Sequence, residues 1–205
     1  LGLYIMLTAS QLNAADMRFC NLVDSCLSYT KMQDFLLDVL EVAWQDDVDE
    51  NLALLDSILK RSSYLKEVEN FPSSKVEGEL EKIQSMTNED NLIKIVDNIM
   101  GHAIEDEWFT RGKESLKKGS PTSAHLIWLQ HLNSSSLSLK EVFNFELNLA
   151  IQITRMGDFK EGIRALIIDK DNKPKWKYDS IKNVQQAWID KHTDLAWEIN
   201  PLEDL

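Results

Sequence analysis

Residues 157–176 read GDFKEGIRALIIDKDNKPKW, and the fold and the family of the chain are most easily inferred from this stretch. Asp158 and Glu161 have the spacing of a helix N-terminal capping box, so a short helix is expected to begin here. Gly157 is expected to end the preceding helix, and Pro174 to stop the loop that follows. The stretch is therefore predicted to be a short capped helix that leads into a charged loop.

Similar start and stop signals predict helices along the rest of the chain. The expected N-terminal caps are Thr30 with Gln33, Asp47, Thr87 with Asp90, Ser120 before Pro121, and Ser138 with Glu141. Gly101 is expected to end the helix after Thr87 in the left-handed conformation. Strand signals are weak: residues 22–27 are one candidate, and residues 165–168 are a second for which a helix is favoured. The predicted fold class is mostly α, with at most one or two short strands.

Two of these helices carry apolar side chains at helical spacing. They are Met32, Phe35, Leu36, Val39 and Leu40 in the first, and Val48, Leu52, Leu55 and Leu59 in the second. The polar residues 60–75, with Pro72, are the best candidate for a hinge.

The composition limits the classes of function. With 205 residues and 43% hydrophobic content, the chain can build one sizeable core. Its net charge of −12 disfavours binding to nucleic acid or to an anionic membrane surface. No apolar run approaches the ~20 residues of a membrane span. Cys20 and Cys26 have neither a zinc nor a disulfide spacing, so reduced thiols and a cytoplasmic location are expected.

No residue pattern identifies a catalytic or metal site directly. The four histidines, His102, His125, His131 and His192, lack metal-ligand spacing. Residues 112–115 lack the glycines of a phosphate loop, and no G-x-S-x-G motif is present. The sequence therefore predicts no catalytic residue, no metal and no required cofactor.

Residues 157–176 nevertheless resemble the C-terminal end of the 3-hydroxyisobutyryl-CoA hydrolases, a branch of the crotonase (enoyl-CoA hydratase/isomerase) superfamily. Residues 1–16, LGLYIMLTASQLNAAD, resemble a segment that follows the catalytic core in that family, and residues 120–123 read SPTS as the family does. The resemblance is loose over residues 31–116. Three regions are therefore expected: 1–30 as the tail end of the crotonase core, 31–118 as a variable helical region, and 119–205 as the C-terminal helical region.

The resemblance implies chemistry on acyl-CoA thioesters, with coenzyme A as part of the substrate. In the family, an oxyanion hole and catalytic carboxylates precede the region that this chain matches. The chain starts at Leu1 without an initiator Met, so it is expected to be the C-terminal portion of a longer hydrolase and to be inactive alone. By match to the hydratase branch, Lys170 is expected near the CoA nucleotide, with Arg164 on the same element.

Three departures from the family pattern stand out: Ala9 and Asn21 replace glycines, and His125 replaces a lysine. Two alternatives stay open, a fragment of an enoyl-CoA hydratase or isomerase and a non-enzymatic helical interaction module. Without the preceding core, Leu3, Ile5 and Leu7 are expected to be exposed, which makes a homo-oligomer plausible.

Overall fold

The computed structural model describes residues 1–61, 71–103 and 106–203, and within them every regular element is a helix. The α-helices are α1 (Gly2–Thr8), α2 (Ala14–Phe19), α3 (Met32–Leu40), α4 (Val48–Leu59), α5 (Lys75–Thr87), α6 (Leu92–Gly101), α7 (Glu107–Lys118), α8 (Pro121–Ser134), α9 (Leu139–Arg155), α10 (Asp158–Ile163) and α11 (Gln186–Thr193). A π-helical turn, Arg164–Ile168, continues α10, and 3₁₀ turns lie at Tyr29–Lys31 and Ile181–Asn183.

The mostly α prediction is confirmed. Neither strand candidate forms a strand: residues 22–27 are irregular, and residues 165–168 lie in the π-helical turn. An isolated extended segment has no neighbouring strand to satisfy its backbone groups, whereas residues 165–168 bond within their own turn. The hinge predicted at residues 60–75 lies largely outside the described residues.

The chain divides into two compact units. The larger unit contains Leu1–Ser10 and Lys82–Leu205, and the smaller unit contains Gln11–Glu81. The first ten residues belong to the larger unit because α1 packs against α7 and α8. These bounds differ from the three regions expected at 1–30, 31–118 and 119–205.

The core of the larger unit is built around α1. Its buried side chains are Leu3, Tyr4, Leu7, Ile83, Met86, Leu92, Ile95, Ile99, Phe109, Leu116 and Ala124. The Tyr4 ring is fully buried and stacks on Trp108, with ring centroids 5.6 Å apart. The expected exposure of Leu3 and Leu7 is therefore wrong, because α6, α7 and α8 cover them; Ile5 is partly buried against the same core.

A second cluster joins α9 to the C-terminal segment. Leu126, Leu149 and Ile189 form its apolar part. Two buried amides of α9 bind the backbone that follows α11: Asn148 accepts from the Ala196 N–H at 2.9 Å, and the Gln152 Nε2 donates to the Asp194 carbonyl at 2.7 Å. The segment after α11 is thus held by side chains of α9.

The smaller unit is organised around one buried carboxylate. Asp16 is 1% exposed and completes a capping box with Asn13 at the start of α2. Its Oδ1 also accepts from the Val76 N–H and from the Ser74 hydroxyl, both at 2.8 Å. Asp16 therefore joins α2 to the first turn of α5.

In the same unit, α3 and α4 leave part of their apolar faces open. Met32, Leu36 and Leu40 recur every four residues and are exposed, with Leu40 79% exposed. Val48 and Leu52 of α4 are exposed as well. Phe35 and Val39 of α3 are partly buried, so only part of the predicted apolar stripe of α3 packs against the rest of the protein.

The predicted helix caps are confirmed where the capping side chain accepts a hydrogen bond from a backbone N–H in the first turn of the helix that it begins. Asp47 caps α4, Ser120 precedes Pro121 and caps α8, and Ser138 with Glu141 forms the predicted capping box of α9. Asn21 adopts the left-handed conformation with φ 53°, and Ala9 does the same with φ 49°. Because Ala9 has a Cβ where the family has a glycine, its left-handed conformation costs about 1 kcal/mol.

Other caps were predicted at the wrong residues. Thr30 lies in a 3₁₀ turn that runs directly into α3, so no Thr30–Gln33 capping box forms. Asn91, not Thr87, caps α6, because Thr87 is the last residue of α5. Gly101 is not left-handed, since α6 ends with His102 in an extended conformation.

Candidate functional site

The candidate site is built on residues 157–176, called here the signature segment. Gly157 ends α9 with φ 98°, a conformation that favours glycine. Asp158 is the first residue of α10 and makes no capping hydrogen bond, so the predicted capping box is wrong. The carboxylates of Asp158 and Glu161 bind residues outside α10 instead.

Asp158 connects three parts of the larger unit. Its Oδ2 accepts a hydrogen bond of 2.6 Å from the Ser120 hydroxyl at the start of α8. Its Oδ1 accepts from the Lys177 N–H at 2.9 Å, just after the signature segment. The SPTS motif and the signature segment are therefore in direct contact.

Arg164 is the centre of the signature segment. Its Nε and Nη2 donate to both carboxylate oxygens of Glu161, at 2.9 and 2.8 Å. Its Nη1 donates to Asp169 at 2.5 Å and to Asp171 at 2.8 Å, and Nη2 also donates to the Lys173 carbonyl at 3.2 Å. A guanidinium has five N–H donors, so these contacts use its whole capacity.

These contacts keep the cluster charged. The pKa of Glu161 falls to about 2, first because Arg164 donates to its carboxylate and then because the Lys175 N–H does. The pKa of Asp171 is lowered by the hydrogen bond from Arg164 and by the Lys173 N–H. The pKa of Arg164 is raised by its hydrogen bonds to Glu161, Asp171 and Asp169.

Residues 169–175, called here the signature loop, have an unusual backbone. Lys170 and Asn172 are both left-handed, with φ 54° and 53°. The Asn172 N–H donates to the Ala165 carbonyl at 3.1 Å, and the Lys175 N–H donates to Glu161 at 2.7 Å. Contacts at both ends thus tie the signature loop to α10 and the π-helical turn.

Trp176 follows the signature loop and packs on α10. Its indole N–H donates to the Lys118 carbonyl at 2.9 Å, at the end of α7. A Cβ placed on Gly162 would lie 3.4 Å from the Trp176 ring, so Gly162 lets the indole approach the helix closely. The identity of Trp176 was part of the sequence pattern, but this contact was not predicted.

An open groove of about 770 Å³ lies between the signature segment and helices α1, α7 and α8 of the larger unit. Most of its lining is apolar, including Leu7, Leu116, Ala124, Ile127, Phe159, Ile163, Leu166, Pro174 and Trp176. Asn172 of the signature loop also lines it. A concave apolar groove with a few polar groups is typical of a small-molecule binding site.

The two predicted site residues have different surroundings. Lys170 is exposed, and its ammonium makes no ion pair within the described part of the chain. Arg164 is half-buried and fully engaged by carboxylates. No pattern in the sequence predicted the groove, because its lining comes from helices that are distant in sequence.

The described residues contain neither a metal-binding cluster nor a membrane-spanning helix. Within residues 1–61, 71–103 and 106–203, no three His, Cys, Asp or Glu side chains lie together as a metal site would require. His125 hydrogen-bonds the Ile181 carbonyl at 2.9 Å. No described helix is both long and apolar enough to cross a membrane.

Comparison with solved structures identifies the class of fold. A crystal structure of a carnitinyl-CoA dehydratase from Mycobacterium thermoresistibile matches 99% of this chain and 54% of its own, with a TM-score of 0.78 and 18% identity. An enoyl-CoA hydratase from Rhodobacter sphaeroides 2.4.1 matches 95% of this chain and 51% of its own, with a TM-score of 0.71 and 18% identity. The helices are therefore arranged as in part of a crotonase-type fold.

Sequence comparison then gives the family: residues 1–193 match the enoyl-CoA hydratase/isomerase family model, and the chain belongs to this family. The mitochondrial 3-hydroxyisobutyryl-CoA hydrolase of Xenopus laevis is 30% identical over 191 residues, or 93% of this chain and 48% of that protein. The Homo sapiens enzyme is 29% identical over 195 residues, or 94% and 48%. The resemblance to the hydrolase branch is confirmed, and the chain spans about half the length of these relatives.

Proposed function

We propose that this chain is the C-terminal helical portion of a CoA-thioester hydrolase that acts on a short 3-hydroxyacyl-CoA, such as 3-hydroxyisobutyryl-CoA. The observation that carries the proposal is the apolar groove beside the signature loop. This loop belongs to the signature segment, by which the chain most resembles that branch. Breakdown of valine, and more broadly fatty acid metabolism, is the setting that such a substrate implies.

The proposed ligand matches the two parts of this site. An acyl-CoA joins an uncharged pantetheine arm to a phosphorylated nucleotide. The groove offers mostly apolar contacts, which suit the arm. Lys170, two residues before the groove-lining Asn172, offers an unpaired ammonium that suits a phosphate.

A binding experiment tests this assignment. The 205-residue chain is titrated with coenzyme A and with 3′-dephospho-CoA by calorimetry. Lys170→Ala should weaken coenzyme A binding about ten-fold, the effect of losing ~1.4 kcal/mol, and should affect 3′-dephospho-CoA less. The matched control is Lys191→Ala, which removes another exposed lysine, on α11. Equal affinities of all three proteins for coenzyme A would contradict the role of Lys170.

We further propose that the oxyanion hole and the catalytic carboxylates belong to polypeptide outside these 205 residues. The chain alone should then release no coenzyme A from 3-hydroxyisobutyryl-CoA, whereas a protein that also carries the other half of the relatives' length should release it. Thiol release is followed with a colorimetric reagent. Release by the 205-residue chain alone would contradict this proposal.

The same assay separates the alternatives. Hydration of an enoyl-CoA without release of coenzyme A would favour a hydratase or isomerase. If the longer protein neither turns over nor binds either thioester, a helical interaction module remains. No cofactor is required in the proposed reaction beyond the coenzyme A that is part of the substrate.

We also propose that the chain self-associates and that the protein is cytoplasmic. Apolar side chains available for a homo-oligomer include Leu36 and Leu40 of α3, which are exposed, but not Leu3 and Leu7, which are buried. Light scattering of the wild type and of a Leu36→Ser, Leu40→Ser variant tests this, and a monomeric wild type would contradict it. The relatives above are named as mitochondrial; a cytoplasmic location for this protein is tested by cell fractionation.

A further inference from the structure

Arg164 and Lys170, two of the five basic residues of the signature segment, are in very different states. Arg164 makes five hydrogen bonds, to Glu161, Asp169, Asp171 and the Lys173 carbonyl. A guanidinium has five N–H donors, so a phosphate could bind Arg164 only by displacing one of these partners. Arg164 is therefore poorly suited to be a nucleotide ligand itself.

The partners of Arg164 show what it does instead. Asp169 and Asp171 flank Lys170 in the sequence, and one nitrogen of Arg164, Nη1, holds both of their carboxylates. The Lys173 carbonyl is held by Nη2. Arg164 thus fixes the signature loop on both sides of Lys170.

The backbone of the signature loop needs such support. Lys170 and Asn172 are both in the left-handed conformation, which is unfavourable for a residue with a Cβ and more so for lysine than for asparagine. The hydrogen bonds from the Asn172 N–H to the Ala165 carbonyl and from the Lys175 N–H to Glu161 also hold it. Without Arg164, three carboxylates would lose their cation, and their mutual repulsion would act against the same conformation.

We propose that Arg164 is a positioning residue, which orders the signature loop so that Lys170, and not Arg164, presents its charge to a phosphate of the ligand. This inference rests on the proposed function, since it assumes that the ligand is a CoA thioester. Arg164 also neutralises the carboxylates of Glu161, Asp169 and Asp171, which would otherwise repel the phosphate.

A double-mutant cycle tests the inference with coenzyme A as the probe. Arg164→Gln and Lys170→Ala should each weaken binding about ten-fold, and the double variant should be little weaker than either single variant, because both remove one contribution. Arg164→Lys should behave like Arg164→Gln, since a lysine cannot make the five-donor contacts. Arg111→Gln, which removes an exposed ion pair with Glu107 on α7, should bind normally.

A second measurement does not depend on a ligand. Hydrogen–deuterium exchange of residues 169–175 should rise in Arg164→Gln and Arg164→Lys but stay unchanged in Lys170→Ala and Arg111→Gln. Additive losses of affinity, or full rescue by Arg164→Lys, would overturn the positioning role. A wild type that does not bind coenzyme A would overturn the proposed function and with it the phosphate role of Lys170, while the exchange data would still report whether Arg164 orders the loop.

Discussion

The Ser120 hydroxyl donates a hydrogen bond of 2.6 Å to the Asp158 carboxylate, across 38 positions of the sequence. Both residues belong to patterns that link the chain to its family, the SPTS motif and the signature segment. Ser120 also accepts from the Ser123 N–H and so caps α8 at the same time. One hydroxyl therefore starts a helix and fastens α10 beside it.

Loss of the Asp158 carboxylate should destabilise the larger unit. Asp158→Ala removes the bonds from Ser120 and from the Lys177 N–H, so the free energy of unfolding should fall by about 2 kcal/mol. Urea denaturation followed by tryptophan fluorescence measures this. Asp46→Ala, at an exposed residue, is the control and should change stability by less than ~0.5 kcal/mol. Equal stability of the two variants would show that the Ser120–Asp158 contact contributes nothing.

Asp16 should make the smaller unit sensitive to acid. Burial by itself raises the pKa of this carboxyl, but hydrogen bonds from the Val76 and Asn13 N–H groups and the Ser74 hydroxyl outweigh it and lower the pKa below its usual value. The ionised form therefore stabilises the fold above about pH 4, the ordinary carboxyl pKa, and this stabilisation is lost as the pH falls through the lower native pKa.

The variant Asp16→Asn measures this effect. The NH₂ of the asparagine would face an N–H donor instead of accepting from it. The substitution should therefore lower the free energy of unfolding by about 2 kcal/mol at pH 7. The gap between wild type and variant should close as the pH falls from 4 toward 2. Denaturation curves at several pH values test the prediction, with Asp46→Asn as the matched substitution. A gap that is constant down to pH 2 would contradict it.

Two glycines within helices should respond in opposite ways to alanine. A Cβ on Gly112 would lie 3.1 Å from Ser10 Oγ and 3.1 Å from Thr8 Cβ, so Gly112→Ala should destabilise the packing of α1 on α7 by about 1–3 kcal/mol. Gly78 in α5 has open space around it, so Gly78→Ala should stabilise by up to ~1 kcal/mol. Thermal denaturation of both variants decides; a Gly112→Ala protein as stable as wild type would mean that α1 shifts without cost.

The C-terminal segment should come loose without Asn148. Asn148→Leu removes the acceptor for the Ala196 N–H and the weaker contact to the His192 carbonyl. Limited proteolysis should then cut after residue 192 faster than in wild type, since a segment without these bonds opens more often. Asn133→Leu on α8, whose side chain makes no hydrogen bond in the described part of the chain, is the control. Unchanged cleavage rates would show that Gln152 and the apolar contacts of Ile189 anchor the segment without Asn148.

Local features of the fold could be predicted because their causes are local. Asp47, Ser120 and Ser138 bond backbone groups within three residues of themselves, so the sequence contains both partners. Prediction failed at two places. Thr30 lies in a 3₁₀ turn continuous with α3, and Thr87 ends α5, while the N-cap of the next helix is Asn91, four residues later. In those places the spacing of a capping box occurred without its geometry.

At the candidate site, too, local features could be predicted from the sequence and long-range contacts could not. The sequence by itself determined that the chain is mostly helical, where several helices begin, and to which family it belongs, because these depend on spacings of a few residues and on residue identity. Only the tertiary structure decided that Asp158 and Glu161 bind outside α10, that Arg164 is saturated while Lys170 is unpaired, and that distant helices enclose an apolar groove. The physical reason is that a carboxylate or a guanidinium bonds whichever donors or acceptors the packing brings near, and packing joins residues far apart in the chain.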